Sequence, residues 1–213
     1  MFTTNTIEFL TELAANNDRA WFTDHKKRYQ SYVKTPADNF RQALAEQLSL
    51  KYQQNIDSKL FRINRDVRFS KDKTPYNAHI RMAFSVGKAD APAWMISIEP
   101  DSLVLGYGIF TFSAKQLNQW RETVSGEQGV LLNSLLQQGE LSNLRCADPE
   151  LKRVPAPYPK DHAQEALLRR KGIVLWFDDL PLKEALDEQA PTKVAEAMQV
   201  FERLHQWLSN TGL

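Results

Sequence analysis

The residues best equipped for chemistry lie between Arg62 and Tyr76, where Arg-Ile-Asn-Arg-Asp-Val-Arg-Phe-Ser-Lys-Asp-Lys-Thr-Pro-Tyr gathers three arginines, two lysines and two aspartates into fifteen residues. A guanidinium presents a rigid planar fork of donors that matches carboxylate or phosphate, so arginines this close among acids point to an ordered polar network. As a ligand site, Arg62, Arg65, Arg68 and Lys73 bind an anion, Asp66 orients an arginine and Tyr76 donates a hydrogen bond. His79 and Arg81 share one face of the strand that follows and extend the ligand-binding set. Asp66 and Tyr76 are the candidates for proton transfer if burial and neighbouring cations displace their pKa values, which would make the protein a metal-independent enzyme. As structure, the same residues form a knot that ties a loop to a sheet, since such networks also serve fold specificity. Both readings stay open at the level of sequence.

A second basic group comprises Lys152, Arg153 and Lys160 in a proline-rich loop and Arg169, Arg170 and Lys171 ahead of the last strand. Solvated surface charge is its plain explanation. Folded toward the first motif, it would suit RNA or DNA, with Tyr158 available for base stacking. A scaffold that meets a partner through its helical face is the third alternative. Asp66, Asp72, His79 and Glu99 carry ligand atoms, yet histidines dispersed at 25, 79, 162 and 205 form no paired motif and the surrounding cations oppose a metal, so neither metal nor cofactor is expected. Ser70-x-x-Lys73 matches the nucleophile motif of penicillin-recognising serine enzymes, but Thr74-Pro75 disfavours the helix which that mechanism requires. The single cysteine, Cys146, excludes a disulfide within the chain, and nothing near it marks a nucleophile.

The elements that must position these residues follow from periodicity. Ile7, Leu10, Leu13 and Ala14 share a helical stripe; Asn17 and Asp18 cap a second helix carrying core residues Trp21 and Phe22, with Lys26 and Tyr29 able to reach a pocket edge. Thr35-Pro36 restarts the chain as N-cap and first residue of a third helix, in which Phe40, Ala43, Leu44, Leu48 and Leu50 make apolar contacts. Alternation predicts strands over 78–86, 94–99 and 103–110, with Gly106 and Gly108 in one row leaving room for close backbone approach or a bend. Short connections make these an antiparallel meander. Helices follow from Ser113 and over 130–136, an extended loop over 153–159, a helix over 162–171, a buried strand over 173–177 and an amphipathic helix over 194–208.

The result is an α+β chain, a short antiparallel sheet flanked by N-terminal and C-terminal helices. We expect a single domain over 1–213, with a helical segment over 1–52, the motif and meander over 58–110, and helices plus a late strand over 111–213. A net charge of +1 gives no global pull toward nucleic acid or acidic membranes, so any anion preference must be local. The N-terminus lacks a basic region leading into an apolar run, and no apolar segment reaches about 18 residues, so a cytoplasmic protein with no membrane partner is expected.

The pattern Arg62-x-x-Arg65-Asp66-x-Arg68-Phe69-x-x-Asp72-Lys73-x-x-Tyr76 resembles the signature of a bacterial and fungal domain family of unknown function. Asn16-Asn17 with Trp21-Phe22, Lys26 and Tyr29 is similar to its N-terminal segment, and Lys152-Arg-Val-Pro with Leu167-Leu168 and Lys171 to its C-terminal one. The resemblance covers most of the chain and implies no activity.

Overall fold

The computed structural model describes residues 1–87 and 91–213. Helix α1 (Thr4–Ala15) buries Thr6, Phe9, Leu10 and Leu13. Ile7 is only half-buried and Ala14 is exposed, because the helix turns inward the larger apolar area of Phe9. Asp18 caps α2 (Arg19–Asp24), accepting the Trp21 N–H at 2.9 Å.

The third helix begins at Thr35 with Pro36 in its first turn, as expected, but Thr35 is not its N-cap and the chain does not break there. The chain runs through the single turn α3 (Lys26–Arg28) and a π-helical segment (Tyr29–Lys34) into α4 (Thr35–Tyr52), with helical backbone at Lys34 and Thr35. Pro36 has no N–H to give the Tyr32 carbonyl one turn earlier. The ladder widens instead, placing the Thr35 N–H on the Gln30 carbonyl, and the fully buried Thr6 donates its hydroxyl to the Tyr32 carbonyl at 2.6 Å. In α4 the buried stripe is Ala37, Phe40, Leu44 and Leu48, whereas Leu50 is exposed: two residues past Leu48 it lies about 200° around the helix.

Strands β1 (Ile56–Leu60), β2 (Ile80–Val86), β3 (Ala93–Ile98) and β4 (Leu103–Ile109) form the meander. After α5 (Ala114–Val124) and α6 (Glu127–Gln137) come β5 (Arg145–Cys146), the single turn α7 (Glu165–Leu168), β6 (Ile173–Leu180), α8 (Ala190–Ala197) and α9 (Glu202–Asn210). The six strands make one antiparallel sheet in the order β1-β2-β3-β4-β6-β5, and the fold is α+β. Ser113 and Gln116 start α5 with a reciprocal capping box. Gly106 and Gly108 of β4 lie where β6 approaches: a Cβ at Gly106 would sit 2.6 Å from the Trp176 ring, and one at Gly108, whose φ is +142°, would overlap the Ile173 carbonyl.

Three expectations for the C-terminal half change. Residues 153–159 fold into turns rather than an extended run, with the Tyr158 N–H on the Pro155 carbonyl at 3.2 Å. The helix expected over 162–171 shrinks to α7, because the Arg169 carbonyl accepts from the Leu151 N–H instead of continuing a helix. The long terminal helix is divided between α8 and α9 by a 3-10 turn (Met198–Phe201), whose eclipsed i and i+3 positions bury both Met198 and Phe201.

Backbone packing divides the chain into two compact units. One comprises Met1–Phe84, Met95–Leu105 and Asp178–Ala197; in it α4 packs on β1 and α8, and Arg41 donates to the Ser58 hydroxyl at 2.6 Å. The other comprises Ser85–Trp94, Gly106–Phe177 and Met198–Leu213. Its core is aromatic: Trp120 stacks on Phe112, meets Trp207 edge-on and donates its indole N–H to the Leu167 carbonyl at 2.9 Å. Among the described residues no helix is long and apolar enough to cross a membrane.

Replacing Gly108 by alanine is expected to lower stability by about 2 kcal/mol or more, since the backbone there has a positive φ that side chains disfavour and a Cβ would need space held by the Ile173 carbonyl. A urea midpoint equal to that of the parent would contradict this close approach.

Candidate functional site

The motif is a loop closed at its neck by strand-like pairing. Asn64 bridges Tyr76, the Arg65 N–H donates to the Pro75 carbonyl at 2.9 Å, and the Asn77 N–H donates to the Ile63 carbonyl at 2.8 Å. Inside the neck, side chains satisfy backbone groups that have no strand beside them. The Arg65 guanidinium donates to Asp72 at 2.6 Å, to the Thr74 carbonyl at 3.1 Å and to the Thr74 hydroxyl. Asp72 also accepts the Thr74 N–H at 3.0 Å, and Lys73 Nζ donates to the Val67 carbonyl at 3.0 Å. Asp66 grips Arg68 through two guanidinium nitrogens, at 2.9 and 2.6 Å. Ser70 and Lys73 lie in irregular backbone with no helix to align them. Phe69 is 96% exposed at the tip, so this aromatic ring belongs to no core.

These bonds set the charge states. The Thr74 N–H, then the Arg65 guanidinium, hold the Asp72 carboxyl down at about 2. The Arg68 guanidinium likewise holds Asp66 below its ordinary range, which keeps it an ionised partner for arginine rather than a proton donor at neutral pH.

Tyr76 is held from outside the loop. The Asn17 side chain donates through Nδ2 to the Tyr76 carbonyl at 2.9 Å and accepts the Tyr76 N–H through Oδ1 at 3.0 Å. Phe22 stacks on the Tyr76 ring, with centroids 4.2 Å apart and planes 23° apart. Asn17, expected to cap a helix, is therefore a clamp on the motif; Asp18 alone does the capping. Trp21 and Phe22 are half-buried rather than core, Trp21 lying flat on His25 at 4.2 Å. Tyr29 turns inward against Phe22, its hydroxyl pushed up by burial, while Lys26 stays in solvent.

The strand pairing slips just beyond the neck. Between the Phe61–Arg81 hydrogen bond and the Asn64–Tyr76 bridge, Arg62 and Ile63 on one side face Asn77, Ala78, His79 and Ile80 on the other. Surplus residues of this kind bend a strand and re-aim a side chain. His79 consequently stands in a bend before β2 rather than within the strand, half-buried. Burial, then the positive charge of Arg81, pushes its pKa below the ordinary value, with Glu99 opposing and Arg65 adding to the depression. Burial and the positive charge of Arg81 both favour the uncharged imidazole of His79. Glu99 accepts from the buried Ser97 hydroxyl at 3.0 Å. Arg81 and Arg62 are exposed, and among the described residues neither guanidinium has a hydrogen bond or ion pair.

In the other unit Lys152, Arg153, Lys160 and Arg169 line one cleft with Val154 and Glu165. Arg170 points elsewhere and donates to the Ala147 carbonyl at 2.8 Å. Burial pushes the Cys146 thiol up, away from the thiolate a nucleophile needs. Among the described residues no three His, Cys, Asp or Glu side chains come together as a metal site.

Asn17→Ala should cost about 1 to 3 kcal/mol in chemical denaturation, because it strips partners from both backbone groups of Tyr76; an unchanged midpoint would show that the clamp is dispensable. Asp72, depressed in the folded state, contributes stability that is full above its ordinary 3.8 and is lost as pH falls through about 2. Its carboxyl resonance should titrate near that lower value and move up in Arg65→Gln, and a midpoint near 4 in the parent would rule out the Arg65–Asp72–Thr74 web.

No curated protein matches the chain. The family model described as "Conserved hypothetical protein (DUF2461)" matches residues 5–207, from the first turn of α1 into the last turns of α9 and through the clamp, the loop and the cleft. The chain therefore belongs to the DUF2461 family of conserved hypothetical proteins.

Proposed function

We propose that the protein binds a small phosphorylated or carboxylated ligand beside His79, with Arg81 as its cation. The observation that carries this reading is the half-buried His79 in its bend before β2, feeling the positive charge of an Arg81 whose guanidinium has no hydrogen bond or ion pair among the described residues. An anion on Arg81 would supply the missing acceptor, and the imidazole of His79 could donate a hydrogen bond to it or take up a proton. The motif then divides by task. Asp66, Arg68, Asp72, Lys73 and Tyr76 shape the loop, since their polar groups or rings are spent on one another, on the backbone or on Phe22. Arg62, exposed at the mouth of the same loop, adds positive charge.

Orthophosphate and citrate serve as probes. Bound beside His79, either anion should raise its imidazole midpoint by about one unit, read from the ring resonances across pH. Arg81→Ala should abolish most of that rise and weaken binding about fivefold, the effect of about 1 kcal/mol suited to an exposed cation. A His79 midpoint that neither anion moves in the parent would refute the site.

A further inference from the structure

The cleft of the other unit has a volume of about 410 Å³, within the range of small-molecule sites. Of its six lining residues, Lys152, Arg153, Lys160 and Arg169 are cations and only Glu165 is an acid. Like charges crowded around a concavity repel one another and focus a positive potential into it. Lys152, Arg153 and Lys160 have neither hydrogen bond nor ion pair among the described residues. Arg169 is more telling: its side chain is 27% exposed, the nearest carboxylate oxygen, on Glu165, is 3.9 Å away, and its buried Nε has no hydrogen-bond partner among the described residues. A donor withdrawn from water and left unmatched is destabilising unless something else supplies the acceptor.

The walls of the cleft are laced before any ligand arrives. The Leu151 N–H donates to the Arg169 carbonyl at 3.0 Å, and the Lys171 N–H to Glu150 Oε2 at 2.8 Å, so the segment bearing Lys152 and Arg153 runs fixed beside the end of α7. Buried Leu167 and Leu168 anchor α7, and the Trp120 indole N–H holds the Leu167 carbonyl. Consecutive turns, Tyr158 N–H on the Pro155 carbonyl and His162 N–H on the Pro159 carbonyl, carry Lys160 to the cleft. Such bracing reduces the ordering that binding must supply.

We propose that this cleft binds a small molecule bearing a diphosphate group, at a site separate from the one beside His79 and Arg81. Four cations against one carboxylate leave a surplus of three positive charges, more than a single phosphate neutralises and close to what a diphosphate carries. The two phosphoryl groups give Arg169 its acceptor and bring Lys160 and Arg153 to the same anion.

The test is calorimetric titration of the full chain with inorganic pyrophosphate and, separately, orthophosphate. Pyrophosphate should bind saturably and at least tenfold more tightly than orthophosphate. Arg153→Gln and Lys160→Gln, both at exposed positions, should each weaken pyrophosphate at least fivefold while melting like the parent, and Arg169→Gln should weaken it further. Arg81→Ala should keep this tight event and lose only the weaker anion binding beside His79. No saturable heat with the parent overturns the proposal. So does a loss confined to Arg81→Ala, which would assign pyrophosphate to the other site. A short RNA that displaces pyrophosphate with a steep salt dependence would likewise replace the small-molecule reading with a polymer one.

Discussion

One side-chain amide holds the motif in place. An asparagine carries a donor and an acceptor side by side, which is what the edge of a strand offers at a single residue. Asn17 uses both on the backbone of Tyr76, standing in for a strand that the sheet does not provide there. The Phe22 ring, one turn further into the N-terminal helices, covers Tyr76 from the side. The loop neck therefore takes its position from residues 17–22 as much as from β2, and with the neck placed, Arg65 and the bend at His79 are placed too. This clamp combines hydrogen bonding with apolar cover, so neither half has to bear the whole burden of ordering the loop.

Within the loop the charges act on geometry more than on stability. The Arg65–Asp72 and Arg68–Asp66 pairs have exposed acids, and ion pairs of that kind contribute little on their own. They decide which donors remain available. Two of the three arginines are turned onto neighbouring aspartates, and Lys73 is turned onto a carbonyl. Among the described residues, unpaired positive charge is left at Lys71 in the loop and at Arg62 and Arg81, on either side of the irregular pairing that sets His79 in its bend. A stretch that reads as a uniform patch of cations is, in three dimensions, a scaffold with its open charge displaced to the rim.

Much of the fold was legible because its signals are local. Alternation along 78–110 announced the meander, two glycines in one row announced the close approach to β4, and Ser113 announced a helix start that the structure completes with Gln116. The loop was recognisable as a network from arginine spacing alone. What stayed hidden depends on partners far along the chain. Nothing local to Asn17 says that its amide meets a backbone 59 residues away, since an asparagine before a helix reads most simply as a cap. The inward turn of Lys152, Arg153, Lys160 and Arg169 to one cleft was hidden for the same reason, as it depends on the Leu151–Arg169 bond. The division between α8 and α9 follows from how Met198 and Phe201 fill the core, which periodicity averaged over the segment does not resolve.

The helix that passes through Pro36 ties together positions that no local pattern connects. Proline removes the donor the Tyr32 carbonyl would have used, and the Thr6 hydroxyl replaces it in a place sealed from water. A hydroxyl at position 6 is thus demanded by an imino acid at position 36, and each residue is tolerable chiefly because of the other. The two positions constrain one another across thirty residues of chain: an ordinary amide at position 36 would release position 6 from its hydroxyl, whereas loss of that hydroxyl beside Pro36 would strand the Tyr32 carbonyl.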